Sequence, residues 1–523
     1  MNKLTRRELI KQTGLGFGML AAASTIGCSN PESANTTEKA ASDENVQPQK
    51  GGVIKIGVIN GNQAGNLDAH KPIGASSAFR GWPLYAKLWE WGRDIRPTLA
   101  LAEFAEPNAD GTKWTIRLKK GLEFHHGKTI RAEDVIFSLK RLTDPKLASP
   151  FAAYLYSLQR DAIKKRDDYT VEIPFASGKG LVILPEAWMS WGGIVPTDYD
   201  PVHNIVGAGP FKLESFTPGQ RSRFVRFENY WKADQPYADA IEVIDFKDQT
   251  GRLAALQSGQ IDIATGISAE HAALIQANPK LKVVSSETDA WQSFDMNTSR
   301  APFNDQRVRQ AFRLIANRED LVKRALAGHG RIANDLYSWS DPVYDRSIPQ
   351  RQQDLNKAKA LLKDAGYNNN LKVELYTSGD SHAALVFAQH AAQAGVTINV
   401  KQVEPATFAD ALKQDWAFST GFNVSRPYLL TVLQIDGPEA ANNKTRFKNE
   451  RFSHLVHAAL QQADLEKQKP LIHEAQKIQH EQGGLLIWGF NNVLDAHSSQ
   501  IGGVTPDHTG FAAWRTDEFW RRG

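Results

Sequence analysis

Arg426, in Gly421-Phe422-Asn423-Val424-Ser425-Arg426-Pro427, carries the clearest recognition chemistry in this 523-residue sequence. A guanidinium is planar, always charged and forked, so it suits a carboxylate or phosphate, at roughly 1.5–3 kcal/mol for a charge-assisted hydrogen bond. A salt bridge at the surface or between lobes is the competing use of the same side chain. Two histidine pairs follow: His454 and His457 are three apart on one expected helix, and His473 and His480 lie on another. A metal site needs a third ligand at suitable spacing, and neither pair has one, so solvated helix faces are expected and no metal. Gly127-Lys128-Thr129 echoes a phosphate loop, but that loop needs a glycine at Leu122, and the glycine falls at Gly121, in an expected hairpin. There is no GxSxG elbow and no HExxH helix. The side chains favour holding a molecule over breaking its bonds, so no catalytic residue and no cofactor are assigned.

The chemistry of the first fifty residues concerns delivery. Thr5-Arg6-Arg7-Glu8-Leu9-Ile10-Lys11 resembles a twin-arginine export signature. Residues 14–27 carry no charge, and at about 14 residues they fall short of the roughly 20 that span a bilayer as a helix, so they read as a signal core. Ser24-Thr25-Ile26-Gly27-Cys28 resembles a lipobox, in which the cysteine is lipidated and becomes the new N-terminus, although Thr25 stands where an aliphatic residue is usual. The alternative is a lone cysteine in an ordinary signal peptide cut nearby. Cys28 is the only cysteine, so no intrachain disulfide can form. Residues 29–50 are polar and bury too little to fold; as a tether they reach on the order of 25 Å. The formal net charge is +4, of which Lys3, Arg6, Arg7, Glu8 and Lys11 supply +3. What remains is too balanced for a nucleic-acid groove.

The elements that would position a site begin at Gly51. Residues 53–59 read as a buried strand that ends in the polar loop Asn60-Gly61-Asn62. In 113–118, Trp114, Ile116 and Leu118 alternate with polar residues, as in a strand with one buried face. Residues 133–142 have helical spacing, acidic residues first and basic ones last. Residues 211–216 and 221–227 flank Thr217-Pro218-Gly219-Gln220, which suits a type II turn and a hairpin. A single helix is expected over 307–326, another over 358–365, and then strand, helix, strand, helix, strand from 371 to 423, the pattern of an α/β lobe.

Several segments now fall in one order. Residues 113–142, Ile194-Val195-Pro196, Val206-Gly207-Ala208-Gly209-Pro210-Phe211, Asn229-Tyr230-Trp231, the run 255–262 and Ala301-Pro302-Phe303-Asn304-Asp305-Gln306-Arg307-Val308-Arg309 resemble the extracellular solute-binding proteins of peptide and nickel ABC importers, family 5. His126 and Arg131 depart from that pattern, the latter removing a preferred helix cap. The resemblance implies an α/β, two-lobed periplasmic-binding-protein fold of type II, with an extra subdomain, closing by a hinge. It places a signal at 1–28, a tether at 29–50, lobe I at 51–83 with 204–288 and 484–523, the subdomain at 84–203, and lobe II at 289–483.

Such a cleft needs aromatic walls and a few fixed polar groups. The resemblance puts Trp291 and Phe294 at the first crossing into lobe II, Trp488 and Phe490 near the return, and Trp188 and Trp191 on the subdomain side. With Phe422, Arg426 and Asn62 these form the expected solute site, apart from Trp191. At the Arg426 position peptide-binding relatives often carry an aspartate for the ligand's ammonium group, so an anionic group is expected here instead. The resemblance implies a monomer that captures a peptide or another small solute, hands it to importer permease subunits, uses the twin-arginine translocase during export, and sits at the outer face of a membrane through a lipid on Cys28. A ligand sensor, a metal-chelate binder and a secreted hydrolase are the rivals, and opines, amino-acid conjugates and other anionic solutes remain candidate ligands.

Overall fold

The computed structural model describes residues 47–523, apart from 61–63, 109–111, 156, 177–183, 186–192, 369, 379–380, 405–406, 409–413, 438–439, 441, 463 and 511. Arg6, Arg7, Cys28, Asn62, Trp188 and Trp191 therefore lie outside the described residues. Residues Pro48–Gly523 form one compact unit.

The strand Val53–Ile59 lies parallel to Ala240–Phe246 on one side and Ile263–Ile267 on the other. A central strand of this kind is covered on both faces, which is why its apolar run is nearly continuous. Leu281–Ser286 and Val493–Ser498 extend one edge of this seven-stranded sheet, and Arg221–Arg226 and Phe211–Thr217 the other. The last two form the expected hairpin. Gly219 adopts φ +71° and the Gln220 N–H donates to Thr217 O at 3.1 Å, so glycine fills the left-handed position that a type II turn requires.

A four-stranded antiparallel sheet, Ala102–Pro107, Lys113–Leu118, Thr170–Pro174 and Lys164–Asp167, is inserted before this hairpin. Trp114, Ile116 and Leu118 all face its core. The helix Ala132–Leu142 packs beside it, and its missing side-chain cap at Arg131 is offset from within: Asp134 accepts the Arg131 N–H at 3.0 Å.

The second lobe is a six-stranded sheet in the order Gly330–Ile332, Leu485–Asn491, Trp291–Met296, Phe418–Asn423, Leu371–Thr377, Val396–Gln402. Helices on both sides make the architecture α/β, as expected. The single helix expected over 307–326 is two, Gln306–Ile315 and Arg318–Ala325. Asn317 breaks the run by capping the second, its side chain accepting the Asp320 N–H at 3.0 Å. Arg318 then donates to buried Asp335 at 2.7 Å.

The chain crosses between the two large sheets at 287–290 and at Asn492. Thr288 Oγ1 donates to Asn491 O at 2.8 Å, and the Asn491 N–H donates to Ala290 O at 2.9 Å, so the crossings are tied to each other. The helix Tyr428–Ile435 makes a further link. Its Tyr428, Leu429 and Val432 pack into the second lobe, whereas Leu430 is buried in the core of the inserted four-stranded unit.

Candidate functional site

Strand alternation decides which of the expected aromatic residues can meet a solute. Along Trp291–Met296, Trp291, Ser293 and Asp295 share one face, and Phe294 and Met296 the other. Phe294 is fully buried and stacks on Phe387 at 4.4 Å and on Trp488 at 6.3 Å, so both Phe294 and Trp488 are core residues of the second lobe. Their expected contact with solute is corrected on that ground. Phe490 is corrected likewise: it is fully buried, and the Arg331 guanidinium covers its ring at 4.9 Å.

Three of the expected residues do come together. A cavity of about 340 Å³ opens beside the first crossing, and Trp291, Phe422 and Arg426 line it together with Asp295, Gln434 and Lys444. Phe422 is 57% exposed, an unusual state for so large a ring. Trp291 is 3% exposed and backed by a ladder of rings, with Tyr337 at 6.1 Å and Tyr428 a further 5.3 Å on. The ladder is rooted in buried polar groups. Tyr337 donates to Asp436 at 2.7 Å, Gln479 donates to both at 2.7 Å, and Tyr428 donates to Gln479 at 2.5 Å. Burial pushes the Asp436 carboxyl up to about 6, against these donors. The Trp291 Nε1–H, itself buried, has no acceptor among the described residues.

Arg426 is set by the turn that ends strand Phe418–Asn423. Pro427 fixes φ and precedes the helix, the Tyr428 N–H donates to Asp341 at 2.8 Å, and Ser338 Oγ donates to Arg426 O at 2.6 Å. The guanidinium donates to Gln434 Oε1. Among the described residues it forms no ion pair, and neither does Lys444.

Asp295 and Lys444 were not foreseen. Asp295 is 6% exposed, and Ser293 Oγ donates to its Oδ1 at 2.5 Å. Burial raises its carboxyl above the usual range, with Lys444 and Ser293 acting the other way. Gly421 on the neighbouring strand makes room: a Cβ there would stand 2.3 Å from Ser293 Oγ and 2.4 Å from Asp295 Oδ1. One signal was legible, since a carboxylate at an inward strand position is costly unless it is used. Nothing in the sequence marks Lys444.

A second cluster stands at the same crossing. Arg331 donates to Asp289 at 2.6 Å and lies over Trp339 at 4.6 Å, while Arg346 covers Trp339 at 4.1 Å. Asp289 also accepts from Ser340, and its own N–H donates to Ser425 Oγ at 2.6 Å. These bonds hold the first crossing against the loop that carries Arg426. Of the histidine pairs, His454 is exposed, but His480 is buried: Arg351 Nη2 lies 2.9 Å from its Nδ1, and burial followed by that guanidinium lowers its pKa.

Residues 95–427 match the family model described as bacterial extracellular solute-binding proteins, family 5 Middle. The glutathione-binding protein of Salmonella typhimurium is 28% identical over 456 residues, covering 82% of this chain and 87% of that protein. The fold resembles that of a periplasmic binding protein of Helicobacter pylori solved with the peptide STSA, with TM-score 0.75 and 22% identity over 91% of this chain and 99% of that one. It also resembles a Brucella suis protein solved with Fe(III)-EDTA, with TM-score 0.79 and 18% identity over 90% and 100%.

Proposed function

Because the chain belongs to the bacterial extracellular solute-binding proteins of family 5, we propose that it is the substrate-binding component of an ABC importer and takes a peptide or peptide-like solute. The observation that carries this is the cavity at the crossing, with its aromatic wall at Trp291 and Phe422 and a guanidinium at Arg426 that has no ion pair among the described residues. Aromatic surface gives affinity for varied solutes, and a few fixed charges orient them. Arg426 holds an anionic group of the solute. A glutathione-binding relative and a peptide-bound structural neighbour support the peptide class. The solute leaves chemically unchanged, passed to permease subunits by a monomeric binding protein.

Delivery belongs to the same proposal. Arg6 and Arg7 direct the chain to the twin-arginine translocase, and Cys28 carries the lipid that holds it at the outer face of a membrane. Lysine at both arginine positions then leaves an unprocessed precursor inside the cell, and Cys28→Ser releases the exported protein from membranes.

Titration calorimetry with glutathione and with the tetrapeptide STSA tests the site. At least one binds the wild type, and Arg426→Ala weakens it about tenfold or more, the size of a charge-assisted hydrogen bond. Unchanged affinity in the variant removes Arg426 from the site.

A further inference from the structure

Asp436 does not line the cavity, yet it is tied to two of the groups that do. It stands at the C-cap of the helix Tyr428–Ile435, its N–H donating to Val432 O, directly after Gln434 and Ile435, which line the cavity. Gln434 is the side chain that receives Arg426. Asp436 is buried and forms no ion pair among the described residues, so its place must be explained by hydrogen bonds. Every proton around it is used once. The Tyr337 hydroxyl donates to Oδ1 at 2.7 Å, Gln479 Nε2 donates to Oδ2 and to the Tyr337 oxygen, each at 2.7 Å, and the Tyr428 hydroxyl donates to Gln479 Oε1 at 2.5 Å. Turning the Gln479 amide would set Oε1 against the carboxylate, so its orientation is fixed. A proton added to Asp436 finds no acceptor left in this set, and only the ionised carboxylate completes it. The titratable groups that face it are the phenols of Tyr337 and Tyr428, both pushed up by burial, and beyond Tyr428 the carboxylate of Asp341, which accepts the Tyr428 N–H. His480, next to Gln479 in the chain, lies against Arg351 and Glu481 instead. Tyr337 in turn stacks on Trp291 at 6.1 Å.

We propose that Asp436, acting with Tyr337, is a positioning residue for the solute site: the carboxylate holds Tyr337 behind Trp291 and holds the end of the helix whose Gln434 receives Arg426, so the aromatic wall and the guanidinium are set together. The inference rests on the solute-binding function proposed above and adds to it a dependence on pH. Burial lifts the Asp436 carboxyl to about 6, so the form that completes the network predominates above that pH and is lost as pH falls below it. Apparent affinity scales with the competent fraction, which at pH 5 is about one-eleventh, so retention weakens by up to about tenfold from pH 7.5. Asp295, whose carboxyl burial also raises, titrates in wild type and variants alike, and the difference between them isolates Asp436.

The full exported chain is equilibrated with a dilution series of a casein hydrolysate at pH 7.5 and pH 5, and the retained peptides are quantified by mass spectrometry per folded molecule, with thermal midpoints showing which variants are folded. Tyr337→Phe, which removes one hydroxyl and keeps the ring, weakens retention at pH 7.5 about fivefold, the size of one net hydrogen bond. It also moves the pH profile upward, because the Tyr337 donor favours the ionised Asp436. Asp436→Asn weakens retention at pH 7.5 and loses most of the difference between the two pH values. A residue that only supports the fold would lower the thermal midpoint and leave retention and its pH profile as in the wild type. If Asp436→Asn does not fold, Tyr337→Phe decides. Equal wild-type retention at the two pH values, wild-type retention and profile in folded Tyr337→Phe, or a wild-type pH ratio in folded Asp436→Asn overturns the positioning role and leaves the peptide-binding function standing. Retention of nothing by the wild type at either pH overturns both.

Discussion

His125 makes the stability of this protein depend on pH in a way that can be isolated. Its ring is half-buried between two backbone groups of the Gly207-Ala208-Gly209 turn: Nε2 donates to Gly209 O at 3.0 Å, and Nδ1 accepts the Gly207 N–H at 3.3 Å. Only the neutral imidazole fits, because a proton on Nδ1 would face another donor. Burial lowers its pKa from 6.5 to about 4, against the pull of the Gly209 carbonyl. A histidine lowered by folding contributes stability that is present above 6.5 and lost as pH falls towards 4. At 1.36 kcal/mol per pH unit, complete protonation costs about 3 kcal/mol. His125→Gln keeps a donor and an acceptor without a titrating ring. It is expected to cost about 1–2 kcal/mol at pH 7.5 and to lose about 3 kcal/mol less than the wild type on acidification to pH 4. Urea unfolding followed by tryptophan fluorescence at pH 7.5, 6, 5 and 4 measures both slopes. Equal losses in wild type and variant would refute the reasoning. His70, also lowered to about 4 by burial and held between Gly193 O and Arg141, adds to the same acid limb in both proteins.

Phe294→Ala removes a core ring and lowers stability by about 3–5 kcal/mol, read as a fall in urea midpoint, whereas Phe422→Ala stays within about 0.5 kcal/mol and weakens peptide binding. Leu430→Ala opens a hole where the helix after Arg426 enters the inserted unit and costs about 2–5 kcal/mol, seen in the same unfolding assay. Gly421→Ala forces its methyl group against Ser293 and Asp295, costs about 1–3 kcal/mol, and abolishes peptide retention; retention equal to wild type would contradict the placement of Asp295.

The large elements were legible because their signals are local. Period-two alternation marked Lys113–Leu118, and Pro218-Gly219 marked the turn between Phe211–Thr217 and Arg221–Arg226. The break at Asn317 was missed because apolar spacing continues through it, and only a capping bond shows where one helix ends and the next begins. Chain position singled out Trp291, Phe422 and Arg426, which line one cavity, but it could not tell Trp291 from Phe294. Three residues apart on a strand, those two point to opposite faces, both packed, and which face borders the cavity depends on elements that lie far away in sequence. Asp295 carried a weak signal as an acid in an apolar strand. Lys444 carried none, because it arrives on a loop held by bonds to distant elements, such as the Thr298 N–H donating to Thr445 O at 2.7 Å.

The central claim, that this chain is a carrier which holds a peptide-like solute and returns it intact, is tested most directly by mass spectrometry of what the exported, purified protein releases on denaturation, before and after prolonged incubation of the native complex. A stoichiometric small peptide or amino-acid conjugate of unchanged mass is the expected result. Recovery of only a metal or metal chelate, or of cleavage products that accumulate with time, would contradict it.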